Sequence, residues 1–142
     1  MSVLDTIHRI RKYHEQTARV ELREAEGEAA ALERRLADTI GQVERAHAGQ
    51  RHEDADDLSR RHAFRLQMEM RRRAEAQQVE QGQAKVSERR GVVVQRATEA
   101  RVMERLVETR AEAVLRDLEV ANRTFLDEVG AQGWLRKRGA GS

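Results

Sequence analysis

The sequence predicts an all-α fold, a long two-helix antiparallel coiled-coil hairpin, and three observations carry that expectation. The 142 residues contain no proline, the residue that most strongly breaks a helix. Ala, Glu, Lys, Leu and Arg make up more than half of the chain, a composition that marks long helices and coiled coils. Apolar and small residues recur at alternating steps of three and four, the period of a seam between two helices. Only Tyr13, Phe64, Phe125 and Trp134 are aromatic, so few large rings are at hand to fill a globular core. Length suits a single domain over residues 1–142.

Ser2 followed by Asp5 has the spacing of a helix N-terminal capping box, with Asp in place of the usual Glu. The cleanest seam stretch follows: Leu22, Ala25, Ala29, Leu32, Leu36, Thr39, Val43 and Ala46. Upstream, Leu4, Ile7, Ile10 and Ala18 continue it, with His14 on the same side. The first helix is expected over about residues 3–47, roughly 67 Å long at 1.5 Å per residue. Residues 48–57 hold a glycine, no large apolar residue and three aspartates suited to capping, and read as the turn. The second helix is expected from about Asp57 to about Gly130, with 131–142 a flexible basic tail. Its main row falls at every seventh position, Val79, Val86, Val93, Ala100, Val107, Val114 and Ala121. A second row, four residues further on, contains Ala97, Ala111, Leu118 and Phe125, and Met103 and Leu106 widen the stripe. Leu58, Phe64, Leu66 and Met68 begin it near the turn. Glu15–Arg19, Glu69–Arg73, Glu112–Arg116 and Glu119–Arg123 are i, i+4 pairs on the outer faces, each contributing about 0.2–0.5 kcal/mol. Among the internal glycines, Gly82 falls on the seam beside Val79 and Val86.

The two helices differ in length. Folding about residue 52 pairs positions that sum to roughly 104, so the second helix overhangs beyond about Met103. The apolar stripe continues past that point through Val107, Val114, Leu118, Ala121, Phe125 and Leu126. Left in water, such a stripe forgoes about 25 cal/mol per Å2 of buriable apolar surface. The overhang is therefore expected to dock onto another chain.

Charged residues make up 37%, yet the net charge is only +2, and interleaved signs with periodic apolar residues argue against disorder. No apolar run is long enough to insert into a membrane, and residues 1–5 lack the pattern of a secretory signal. With no cysteine, thiolate chemistry is excluded. His8, His14, His47, His52 and His62 include no i, i+3 or i, i+4 pair, so no helical zinc site is expected. The acidic run over 53–57 lacks the glycine and final glutamate of a calcium loop. No glycine-rich phosphate loop and no nucleophile motif occur, so neither a cofactor nor enzymatic activity is expected. Arg71–Arg73, Arg89–Arg90 and Arg136–Arg138 are basic clusters. Successive helical residues point in different directions and stacking aromatics are scarce, so nucleic acid is not an expected partner.

Residues 99–110 (EARVMERLVETR), then Asp117-Leu118-Glu119 and Phe125-Leu126-Asp127-Glu128, resemble the C-terminal end of the flagellar export protein FliJ family. Leu4-Asp5-Thr6-Ile7-His8-Arg9-Ile10-Arg11 resembles the family's arginine-rich opening helix, and length and hairpin layout agree. The resemblance implies a cytoplasmic, non-enzymatic component of a bacterial flagellar type III export apparatus, peripherally associated with the inner membrane. It implies a central stalk, like that of rotary ATPases, which inserts into the hexameric export ATPase ring and links it to the membrane export gate. It also implies a chaperone role toward export substrates or their chaperones. YscO-type proteins are similar and serve virulence secretion. On this reading Leu4, Ile7, Val107, Val114, Leu118, Phe125, Leu126 and Trp134 contact the ATPase, and Leu36, Ile40, Phe64 and Met68, nearer the turn, contact the gate. The alternative is a structural homodimeric scaffold in which the overhang pairs with itself.

Overall fold

A computed structural model describes residues 2–48 and 54–140 of the chain. Two helices account for nearly all of them, α1 (Val3–Ala48) and α2 (Ala55–Ala140), and they pack against each other antiparallel. Most of the expected turn, residues 49–53, lies outside the described residues.

Side-chain acceptors set both helix starts. At α1, the Asp5 amide donates to Ser2 Oγ (3.2 Å), and the Ser2 amide donates back to Asp5 Oδ2 (3.1 Å). This is a reciprocal capping box with aspartate in the acidic position. The Ser2 hydroxyl also donates to Asp5 Oδ2 at 2.8 Å, and these bonds hold the Asp5 carboxyl below its usual range. At α2, Asp54 Oδ1 accepts from the Asp57 amide at 2.7 Å. The cap is thus Asp54, and the helix begins at Ala55 rather than near Asp57.

At the other end, α2 runs on through Ala140 where a stop near Gly130 and a flexible tail were expected. Neither Gly130 nor Gly133 adopts a positive φ, so neither forms the left-handed cap that ends a helix. Without proline, a mid-helix glycine weakens the helix by only about 1 kcal/mol and does not break it. The Arg138 guanidinium lies 4.9 Å from the Trp134 ring, one turn apart, and ties the last turns together.

The chain divides into two compact units. One comprises Lys12–Thr98. Its interior is thin and made of small side chains. Ala18, Ala25, Ala29 and Thr39 of α1 are buried, as are Met68, Glu75 and Val86 of α2. Ala25, Ala29 and Val86 form the central cluster, with Leu22 against it. Close approach is built in at Gly82. A Cβ there would lie 3.1 Å from Leu32 Cδ1 and 3.6 Å from the Ala29 Cα.

That contact fixes a register different from the one expected. Arg89 meets Glu21 (3.0 Å) and Glu75 meets Thr39 (2.6 Å), where folding about residue 52 would put Glu21 opposite about residue 83 and Thr39 opposite about residue 65. The fit of Gly82 against Ala29 and Leu32, rather than the midpoint of the turn, decides the pairing, and the first turns of α2 run past the end of α1. The seam also takes a row three residues on from Val79 and Val86, comprising Glu75, Gly82, Arg89 and Arg96, of which only Gly82 was expected there; Ala97, of the expected second row, is half-buried beside it. Glu21 supplies the carboxylate that Arg89 needs, and Lys85–Glu28 (3.2 Å) and Arg90–Glu26 (3.8 Å) flank it. The long stems of such arginines cover the alanine seam while their charged ends reach water.

Some expected seam members lie outside it. His14 and Ala46 are exposed, and so are Leu58, Phe64 and Leu66; Glu15 takes the seam position in place of His14, and the expected Val43 is half-buried. Of the outer-face pairs, Glu15–Arg19 (2.8 Å) and Glu69–Arg73 (3.3 Å) are present. Glu69 also binds Arg72 at 2.6 Å, and these guanidinium bonds lower its pKa to about 2.

The other unit joins the residues up to Arg11 with those from Glu99 onward. Ala100 is buried, Leu4, Ile7, His8, Arg11, Met103 and Val107 are half-buried, and Arg11 binds Glu99 at 2.7 Å. Ile10 is exposed, its expected seam place taken by Arg11. Pairing persists to Val107 rather than ceasing near Met103, and every residue from 108 to 139 is exposed.

Candidate docking surfaces

In the unit that contains Glu99 onward, α2 carries an apolar stripe that, beyond Val107, has nothing against it among the described residues. Its rows are Val107, Val114, Ala121 and Ala111, Leu118, Phe125, spaced alternately by four and three residues. That is a coiled-coil seam without its second strand. Val114 is 50% exposed, and Leu118 and Phe125 are each 61% exposed. Leu126 and Trp134 are similarly open, while Leu4, Ile7 and Val107 are half-buried. Covering the exposed half of each large side chain would contribute on the order of 1 kcal/mol.

The stripe begins in a shallow groove of about 450 Å3 where α1 starts, lined by Leu4, Val107, Ala111, Val114 and Leu115, with Arg110 and Asp5 at its edge. The structure thus brings Leu4, Val107 and Val114 together and leaves Leu118, Phe125, Leu126 and Trp134 further along the helix. Leu115, Val120, Val129 and Leu135 are also exposed and were not singled out from the sequence. Leu115 was legible from its i+4 step after Ala111, and Leu135 from its place two seven-residue steps after Ala121 on the main row; Val120 belongs to neither row.

In the Lys12–Thr98 unit, the residues expected near the turn behave differently from one another. Leu36 is half-buried, Ile40 and Phe64 are open, and Met68 is 5% exposed and packed within the chain. Phe64 and Met68 line a second groove, of about 260 Å3, with Val43 and Ala46 across from them.

Further along the seam of this unit lies a buried polar node. Thr39 Oγ1 donates to Glu75 Oε2 at 2.6 Å, and Arg71 Nε donates to Glu75 Oε1 at 2.9 Å. The threonine hydroxyl is the main cause that holds the Glu75 carboxyl below its usual range, with Arg71 adding to it against the opposing effect of desolvation. A satisfied polar pair in an otherwise alanine seam specifies register. Nothing in the sequence pattern marked Glu75 as a seam residue, because its row is mostly polar.

Among the described residues, no group of three or more histidine, aspartate and glutamate side chains is arranged to hold a metal ion. No helix among them is long and apolar enough to cross a membrane.

The model of one protein family, that of the flagellar FliJ protein, matches residues 1–139. No curated protein and no solved structure matches the chain.

Proposed function

Because the chain belongs to the flagellar FliJ family, and so to flagellar protein export, we propose that it is the non-enzymatic stalk of the export apparatus. In this role the apolar stripe of α2 seats in the ring of the hexameric export ATPase, with Leu4 and Ile7 adjoining. Residues nearer the turn, Ile40 and Phe64 foremost, meet the membrane export gate, and export substrates or their chaperones are further partners. The protein would then work in the cytoplasm, held peripherally at the inner-membrane apparatus.

The single observation that supports the reading best is the exposed seam at Val114, Leu118 and Phe125. A two-row stripe at this spacing is shaped to receive a helix. Met68 is the weakest member of the proposed set, since its buried side chain already serves the intrachain seam.

Replacing Phe125 and Leu126 together by alanine tests the proposal. Both side chains are open and alanine favours helix, so helicity by circular dichroism should hold while association with the purified ATPase weakens. Undiminished association would refute the ATPase contact. A tight dimer of the isolated chain that the double variant dissociates would point to the self-pairing scaffold instead.

A further inference from the structure

The groove beside the turn combines an apolar floor with a cationic rim. Val43, Ala46, Phe64 and Met68 form the floor, and Arg45, His47, Arg61 and Arg65 the rim. No acidic residue lines it, among the described residues. Elsewhere on this stretch of α2 the guanidiniums have carboxylates: Arg71 binds Glu75, and Arg72 and Arg73 bind Glu69.

Arg61 differs from these three. It occupies the seam row seven residues before Met68, half-buried, and its Nη1 is shut off from solvent with no hydrogen-bond partner. Nη1 itself is as closed to an incoming group as it is to water, but the Arg61 side chain lines the groove beside Arg45, His47 and Arg65, and the charge of that rim favours an acceptor placed against it. A guanidinium fork matches a planar carboxylate in particular. A space of about 260 Å3 exceeds what one carboxylate fills, and its apolar floor offers a small anion nothing. The occupant that satisfies both halves is an acidic side chain next to an apolar one.

We propose that the groove between α1 residues 43–47 and α2 residues 61–68 clamps an acidic–apolar segment of a partner protein. Arg61 receives the carboxylate, and Phe64, Val43 and Met68 receive the neighbouring apolar side chain. The proposal rests on the reading that residues near the turn dock a partner, and it names the chemistry that partner must present. Arg61 acts here as a binding residue and takes part in no reaction.

The probe is an acetylated, amidated peptide of sequence Ala-Glu-Leu-Glu-Ala, compared with its Ala-Gln-Leu-Gln-Ala counterpart and with inorganic phosphate. Each is titrated into the isotope-labelled full chain while the arginine Nε–H and phenylalanine ring signals are followed by NMR. The expected result is saturable shifts at Arg61 and Phe64 with the acidic peptide, and binding weaker by at least about tenfold for the glutamine peptide. Arg61→Gln should remove the difference between the peptides and Arg61→Lys should restore part of it, whereas Arg60→Gln should leave it unchanged. Equal binding of the two peptides, or an Arg61→Gln chain that still discriminates between them, overturns the clamp. Phosphate that matches the acidic peptide overturns the protein segment as occupant. Unchanged helicity of each variant keeps the comparison valid. Binding of the gate's cytoplasmic portion to Phe64→Ser is measured separately. Loss there with no peptide discrimination removes the clamp alone, and no loss there removes the docking near the turn.

Discussion

Replacing Thr39 by valine is expected to destabilise the hairpin out of proportion to the one hydroxyl removed. Shape and volume are nearly kept, and the change deletes the donor that lies 2.6 Å from Glu75 Oε2. Thr39 is 1% exposed and Glu75 6% exposed, so the freed carboxylate oxygen cannot simply turn to water. An unsatisfied buried charge of this kind costs about 1–3 kcal/mol. A seam between two helices is only one side chain deep, and Arg71 still holds the other oxygen at 2.9 Å, which places the cost at about 1–2 kcal/mol. Pairing Thr39→Val with Glu75→Leu removes both partners and should recover most of that loss, since an apolar pair needs no acceptor. Urea unfolding at neutral pH, followed by circular dichroism, gives the four corners of the double-mutant cycle. The sign of the pH dependence follows from the lowered pKa of Glu75. Its contribution is complete above the ordinary value of 4.5 and fades as pH falls through the folded value. The wild-type chain should lose stability over that acid range, and the valine variant should lose less. A Thr39→Val chain as stable as wild type, or a double variant worse than both singles, would refute the reasoning.

Glycine substitutions should divide by location. Gly27 and Gly91 have open space where a Cβ would go, so alanine at each is expected to stabilise by about 0.5–1 kcal/mol, read as a rise in melting temperature. At Gly82 the same gain in helix propensity is opposed by Leu32 Cδ1 at 3.1 Å and by the Ala29 backbone, and no rise should appear. Asp54→Ala removes the acceptor for the Asp57 amide and should cost about 0.5–2 kcal/mol, with faster amide exchange confined to the first turn of α2. Arg11→Gln breaks the 2.7 Å pair with Glu99, whose side chains are 39% and 28% exposed, and should cost no more than about 1 kcal/mol, a loss that added salt reduces further.

Helix content and the antiparallel hairpin were legible because seven-residue rows of Val and Ala survive any choice of turn. The row from Val79 to Val107 was read correctly for that reason. Of the row three residues on, Gly82 was placed on the seam from the sequence, but Glu75 and Arg89 carry no apolar signal; the Thr39 hydroxyl and the Glu21 carboxylate make them seam residues, and those partners lie 36 and 68 residues away in sequence. Register failed with it, since it depends on where Gly82 finds room and on the Thr39–Glu75 pair. The Ser2–Asp5 box was legible because a capping box is local, whereas the end of α2 was not. A glycine permits a left-handed cap without requiring one, and neither Gly130 nor Gly133 takes that conformation.

The two rows of α2 also constrain whatever covers the open stripe. Up to Val107, the side facing α1 is built from the Ala100 and Val107 row and the Met103 row three residues on. Beyond it, the apolar side is built from the same first row and the Ala111, Leu118 and Phe125 row four residues on. At 3.6 residues per turn the centre of the apolar side therefore moves about 50° around the helix at Val107. A helix that simply prolonged the line of α1 would meet Arg110, Asp117 and Thr124 along one edge instead of Leu118 and Phe125. The ligand that fits must approach from the side of Ala111 and Leu115, and the groove at Leu4, Val107, Ala111, Val114 and Leu115 opens at that changeover. The incoming helix would thus lie against the first residues of α1 as well as along α2, which couples the grip on the stripe to the pairing of Leu4 and Ile7 with α2. Leu4→Ser should accordingly weaken ATPase association even though Phe125 and Leu126 remain intact, and Asp117→Ala, on the edge that such a helix does not reach, should leave it unchanged. An opposite ranking of these two variants in the same binding measurement would place the partner on the continuation of α1 and remove the lateral approach.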